Sequence, residues 1–130
     1  MRDGTRARSL EAMSPPKRRR VLLVDDSPHV RAVLRAVLVD ADVSECADGD
    51  QVLASYEAFG PDLVLMDVRM PRMDGIQATA LLKRAHPSAR VVIVSDHEHD
   101  DLRAAAGRAG AEAYVVKTDL LVLREILARR

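Results

Sequence analysis

Apolar positions recur along this chain with two periods, and the periods alternate. Val21–Val24 is an uninterrupted run of Val and Leu, the mark of a strand buried on both faces. Ser27 then Pro28 start a helix, with proline at its first position, and Val30, Val33, Leu34, Val37 and Leu38 repeat at helical spacing. Val43–Ala47 predicts a weaker strand. Asp48-Gly49-Asp50 predicts a turn, followed by a helix through about Ala58 that Gly60-Pro61 breaks. Leu63–Met66 reads as a second buried strand. Asp74-Gly75 opens a helix through Ala85, ended by Pro87 and Ser88. Val91–Val94 is a third strongly apolar strand, and Asp100 to Arg108 is helical. Ala113–Val116 predicts the last strand, and Thr118 caps a helix reaching Ala128 with Leu120, Leu123, Ile126 and Leu127 as its apolar positions.

Five strands and five helices in strict alternation imply right-handed βαβ units. The expected fold is therefore α/β, a doubly wound parallel sheet with helices on both faces. Such sheets bind ligands beyond the carboxyl ends of their strands, where strand order reverses. The residues at those ends are Asp25 and Asp26 after the first strand, Asp67 after the third, Ser95-Asp96 at the end of the fourth and Lys117 after the fifth. Taken singly, each is an ordinary turn former, helix cap or surface lysine. Falling together after four strands, they point to a site. Crowded carboxylates repel, and a hard divalent cation such as Mg²⁺, which prefers oxygen ligands, resolves the repulsion. One carboxylate is then placed as a nucleophile toward a phosphoryl group, whose oxygens the cation neutralises. Lys117 adds a point charge and Ser95 a hydrogen-bond donor. Strands three and five lie about 10 Å apart, a gap that a lysine stem closes onto Asp67.

Composition narrows the field. A chain of 130 residues suggests one domain, and its charge balances at 20 basic against 20 acidic residues. The longest run free of charge is Gly75 to Leu82, far short of a membrane span, and residues 1–20 contain no apolar signal core. The expectation is a small cytoplasmic domain with no membrane partner. Cys46 is the single cysteine, which excludes a disulfide framework and argues against zinc. Tyr56, Phe59 and Tyr114 are too few aromatics for a base-stacking platform. The neutral total hides an asymmetry, because residues 1–20 hold seven basic residues and two acidic ones. Residues 1–19 are read as a flexible basic tail and 20–130 as the folded domain. Lys17–Arg20 is read as a solvated run rather than a nucleic-acid contact. Of His29, His86, His97 and His99, none is expected to bind metal, since the carboxylates suffice; His97 is set beside the path of a hydrolytic water.

Four stretches resemble a known family. Leu22-Leu23-Val24-Asp25-Asp26-Ser27, the block from Leu65 to Gly75 containing Met66-Asp67-Val68-Arg69-Met70-Pro71, Val92-Ile93-Val94-Ser95, and Gly110 to Lys117 look like the signature blocks of a response-regulator receiver domain. The resemblance covers about residues 20–130. It implies a flavodoxin-like fold with strand order 2-1-3-4-5. It implies that Asp67 is the phosphoacceptor, taking a phosphoryl group from a histidine kinase or phosphotransfer protein. Mg²⁺ would be held by Asp26 directly, by Asp25 directly or through water, by Asp67 and by the backbone carbonyl of Arg69. Ser95 would hydrogen-bond the phosphoryl oxygen, Lys117 would pair with it, and Tyr114 would change rotamer in response. Pro71 and Gly75 would shape the loop after Asp67.

Two departures stand out. Thr118 follows Lys117 where the family often has proline; receivers of LuxR-type regulators commonly lack that proline, and Gly75-Ile76-Gln77-Ala78-Thr79 also resembles theirs, but no helix-turn-helix follows here, so no direct DNA binding is expected. Asp96 follows Ser95 where a small residue is common, and a carboxylate facing the site would oppose an incoming phosphoryl anion. Asp96 and His97 are thus candidate modulators. The expected function is a phosphorylation-controlled interaction switch that catalyses only its own phosphorylation and dephosphorylation, with an unknown downstream protein target and a homodimer left open. The alternative is a pseudo-receiver, a constitutive interaction module that is never phosphorylated. A metal-dependent hydrolase lacks an evident base, and a flavodoxin-like redox protein lacks aromatics to sandwich a flavin.

Overall fold

The computed structural model describes residues 18–129. The expectations for residues 1–17, most of the basic tail, lie outside the described residues. Five strands, β1 (Arg20–Val24), β2 (Asp42–Cys46), β3 (Leu63–Met66), β4 (Val91–Ser95) and β5 (Ala113–Val116), form one parallel sheet in the order β2-β1-β3-β4-β5. The helices are α1 (Pro28–Val37), α2 (Val52–Phe59), α3 (Gly75–Ala85), α4 (Asp100–Ala109) and α5 (Val122–Ala128). This is the flavodoxin-like order expected of the chain.

Alternation along each strand divides the core in two. Val21, Leu23, Leu65, Val92 and Val94 pack on one face with Leu34 and Leu38 from the α1 segment and Leu123 and Ile126 of α5. Leu22, Val24, Val64, Met66 and Ile93 point to the other face, against Val52 of α2, Ala78 and Leu82 of α3 and Ala106 of α4. The three central strands carry the unbroken apolar runs 21–24, 63–66 and 91–94 because both of their faces are covered. The outer strand β2 carries Asp42, Ser44 and Glu45 and is only partly buried, which explains its weaker apolar signal.

Local chemistry starts the helices that border the site. The Ser27 side chain accepts from the Val30 N–H at 3.2 Å, with Pro28 following it. Asp74 accepts from the Gln77 N–H at 2.8 Å. The last helix departs from expectation. Thr118 caps nothing: Lys117–Asp119 forms a 3₁₀ turn, and α5 begins only at Val122 without a side-chain cap. The first carbonyls of that helix to be used are those of Leu120 and Leu121, which accept from Leu123 and Arg124, so Thr118 stands too early in the chain. The predicted turn at Asp48-Gly49-Asp50 is a 3₁₀ turn over Gly49–Gln51, with Asp48 before it. At the boundary with the tail, Arg18 donates to the Ala41 carbonyl at 2.9 Å and pairs with Asp42. Arg20 donates to the Phe59 carbonyl at 2.6 Å and lies over the Phe59 ring.

Candidate functional site

The parallel sheet sends the carboxyl ends of β1, β3, β4 and β5 to one edge. Each end delivers one or two side chains to an open cleft lined by Asp25, Asp26, Asp67, Ser95, Asp96 and Lys117, with Arg69 and His97 at its border. Asp25 leaves β1 with its N–H on the Cys46 carbonyl at 3.2 Å, and Asp67 leaves β3 with its N–H on the Val24 carbonyl at 2.8 Å. Their positions are therefore set by continuation of the sheet ladder. One oxygen from each of Asp25, Asp26 and Asp67 lies within 4.8 Å of the others; the first and last are buried and Asp26 is exposed. Among the described residues this is the one group of three or more with metal-binding composition and spacing. No histidine joins it; His97 and His99 face one another at 5.8 Å between ring centres.

Lys117 ties the cluster together. Its ammonium lies 3.0 Å from Asp25 Oδ2, 3.4 Å from Asp67 Oδ1 and 3.9 Å from Asp96 Oδ2. From the end of β5 the side chain thus reaches past β4 to the end of β3, as the strand spacing predicts. Asp25 Oδ1 also accepts from the Ser27 N–H, and Asp67 Oδ1 from the Val68 N–H, both at 2.9 Å. Burial works to lower the pKa of the lysine, but Asp25, Asp67 and Asp96 together carry it above its usual value. Burial pushes the Asp67 carboxyl up to about 6, helped by the charge on Asp25 and opposed by Lys117 and the Val68 N–H. Asp67 is thus a carboxylate held in a site that disfavours its charge until a cation arrives. Three hard oxygen donors at this spacing fit Mg²⁺, which is bound through a few carboxylates and otherwise keeps its water.

Ser95, buried at the end of β4, accepts from the His97 N–H at 3.2 Å, which leaves its own proton to donate. Tyr114 reaches back from β5 and donates from its hydroxyl to the His97 carbonyl at 2.6 Å. The Arg103 guanidinium stands 4.8 Å over its ring. The two residues expected to respond to a phosphoryl group therefore hold the same loop.

Two positioning residues escaped the sequence reading. Asp48, buried after β2, accepts from the Arg72 and Met73 N–H groups at 2.9 Å each and so anchors the loop that follows Asp67. Burial opposes its charge, yet these amides hold its carboxyl below the usual range. Arg31 on α1 donates to the Asp25 carbonyl and to Glu45 Oε1, fixing the acidic pair from behind. The available signal for Asp48 was that it follows a strand, as Asp25 and Asp67 do; its partners lie 24 and 25 residues away. Gly75 closes the same loop. A Cβ there would lie 1.8 Å from the Asp67 carbonyl oxygen, so only glycine fits.

Residues 21–128 match the family of the response regulator receiver domain. The chain belongs to that family. Among curated relatives, the receiver is 39% identical over 102 residues to the response regulator GacA of Pseudomonas viridiflava, covering 75% of this chain and 48% of that protein. It is 36% identical over 101 residues to the chemotaxis protein CheY of Bacillus subtilis, covering 75% of this chain and 84% of that one. This chain thus spans about half the length of GacA and most of CheY. Among solved structures, a LuxR-family two-component response regulator from Aurantimonas sp. SI85-9A1 superposes with a TM-score of 0.79 at 32% identity, covering 86% of each chain. The CheX–CheY–BeF3–Mg²⁺ complex of Borrelia burgdorferi gives a TM-score of 0.77 at 28% identity, covering 84% of this chain and 87% of that one. Receiver domains are signalling switches of two-component systems rather than classical enzymes, and they bind Mg²⁺ at an acidic pocket. No helix among the described residues of this receiver is long and apolar enough to cross a membrane.

Proposed function

We propose that this receiver is a phosphoacceptor switch in which Asp67 takes a phosphoryl group from a histidine kinase or phosphotransfer protein. The observation that carries the reading is the Lys117 ammonium between Asp25 and Asp67, beside a third carboxylate and the Ser95 hydroxyl. Asp25, Asp26, Asp67 and the Arg69 carbonyl are the groups to hold Mg²⁺, which when bound supplies positive charge to the carboxylates and to the phosphoryl oxygens.

This chain's residues divide the remaining work. Asp67 is the nucleophile, and its carboxylate form dominates once pH rises past about 6. Lys117 compensates charge that develops on the phosphoryl oxygens, as a preformed donor that need not be reorganised. Ser95 donates to a phosphoryl oxygen. That donation draws on the hydroxyl that now accepts from His97, and Tyr114 holds the adjacent carbonyl. The loop from Ser95 through His97 is therefore the element that couples the site to the Tyr114 side of the domain. A downstream protein reads that surface, and the chemistry is confined to the protein's own phosphorylation and dephosphorylation in the cytoplasm. The complete set of Asp25, Asp26, Asp67, Ser95 and Lys117 supports this reading over a constitutive interaction module.

Intact-mass measurement after incubation with a small phosphodonor tests it. One added phosphoryl group is expected with Mg²⁺ and none with excess chelator. Absence of any adduct at saturating Mg²⁺, with small donors and with a phosphorylated kinase, would sink the reading.

A further inference from the structure

Asp96 sits at the tip of a turn on the rim of the cleft. The turn is closed by the His97 N–H on Ser95 Oγ and held from β5 by the Tyr114 hydroxyl on the His97 carbonyl. Asp96 Oδ2 lies 3.9 Å from the Lys117 ammonium, which itself touches Asp67, while 69% of the Asp96 side chain remains exposed. This carboxylate therefore faces both the inner lysine and the solvent from which a donor arrives. It is the fourth acidic group lining the cleft, opposed by Lys117 and Arg69.

We propose that Asp96 is a specificity-determining residue that ranks phosphodonors by their charge, opposing dianionic donors more than monoanionic ones. The inference rests on the phosphoacceptor reading above. The energy of a fixed charge acting on an approaching ion scales with the charge of that ion. Because Asp96 is exposed, added salt screens the effect over a distance of about 10 Å at 0.1 M. With acetyl phosphate, an Asp67 oxygen forms the new bond to phosphorus as the P–O bond to the acetyl group breaks, and acetate leaves with the bonding pair. With phosphoramidate, the P–N bond breaks and ammonia leaves from a nitrogen that is already protonated. Near neutral pH the first donor is a dianion and the second a monoanion, so the two pair one acceptor chemistry with different approach charges.

The test measures uptake rates from both donors at saturating Mg²⁺ for wild type, Asp96→Asn and Asp96→Glu. Asp96→Asn removes the charge and keeps the shape. It should accelerate acetyl phosphate about tenfold, or about 1.4 kcal/mol, and phosphoramidate about threefold. Added salt should speed acetyl phosphate uptake by the wild type and change the Asn variant much less. Asp96→Glu should keep the wild-type donor ratio. Equal acceleration of both donors, no change, or slower uptake in Asp96→Asn would overturn the inference while leaving Asp67 as acceptor. No uptake from either donor by any variant would overturn the phosphoacceptor reading and this inference with it.

Discussion

Asp67 combines burial, a like charge on Asp25 and a single cation in Lys117, and this balance has a pH signature. Its carboxyl is pushed from the ordinary 3.8 to about 6 in the metal-free fold. A raised pKa means that the folded state holds the proton longer than the unfolded chain. The stability contributed by the protonated form is complete below 3.8 and is lost as pH rises through about 6. Mg²⁺ requires the carboxylate, so its affinity moves the opposite way, rising as pH increases and flattening above about 6, by up to about tenfold per pH unit below that. Calorimetric titration with Mg²⁺ across this range checks the sign. An affinity independent of pH would mean that Asp67 carries no proton to displace. The site residues at strand ends were legible in the sequence because a parallel sheet gathers its carboxyl ends at one edge. Asp48 and Arg31 were not, because each acts through a contact made only by the finished fold.

At the scale of elements, β1, β3 and β4 were readable as unbroken apolar runs, since helices cover both of their faces. The start of α5 was misplaced. Thr118 has the right chemistry for a cap, but the chain first turns through Lys117–Asp119 after delivering the lysine to the cleft. The caps that do form carry predictions. Ser27→Ala removes the acceptor for the Val30 N–H and should cost about 1 kcal/mol in denaturant unfolding. Leu82→Ala empties a fully buried position between α3 and the sheet and should cost about 2–5 kcal/mol. Asp48→Ala should act differently, lowering Mg²⁺ affinity by releasing the loop that carries Arg69, while the sheet stays formed. An unchanged Mg²⁺ affinity in that variant would show that the loop keeps its geometry without the anchor.

The described residues form one parallel sheet covered on both faces, with the candidate site at one rim, and Arg18 and Arg20 belong to the fold. Arg18 and Arg20 are engaged with Ala41, Asp42 and Phe59, so these two arginines are not the solvated residues that the sequence suggested. Deleting residues 1–12, which carry no periodic apolar face, should leave the melting temperature unchanged, whereas Arg20→Ala should lower it. On the proposed function, Asp67 is the one carboxylate of the acidic cluster that accepts the phosphoryl group. This is tested most directly by the rate of phosphoryl uptake, read by intact mass at saturating Mg²⁺, in wild type and Asp67→Asn. One phosphoryl group is expected on the wild type and none on the variant over the same time. Uptake by Asp67→Asn at the wild-type rate would contradict that assignment.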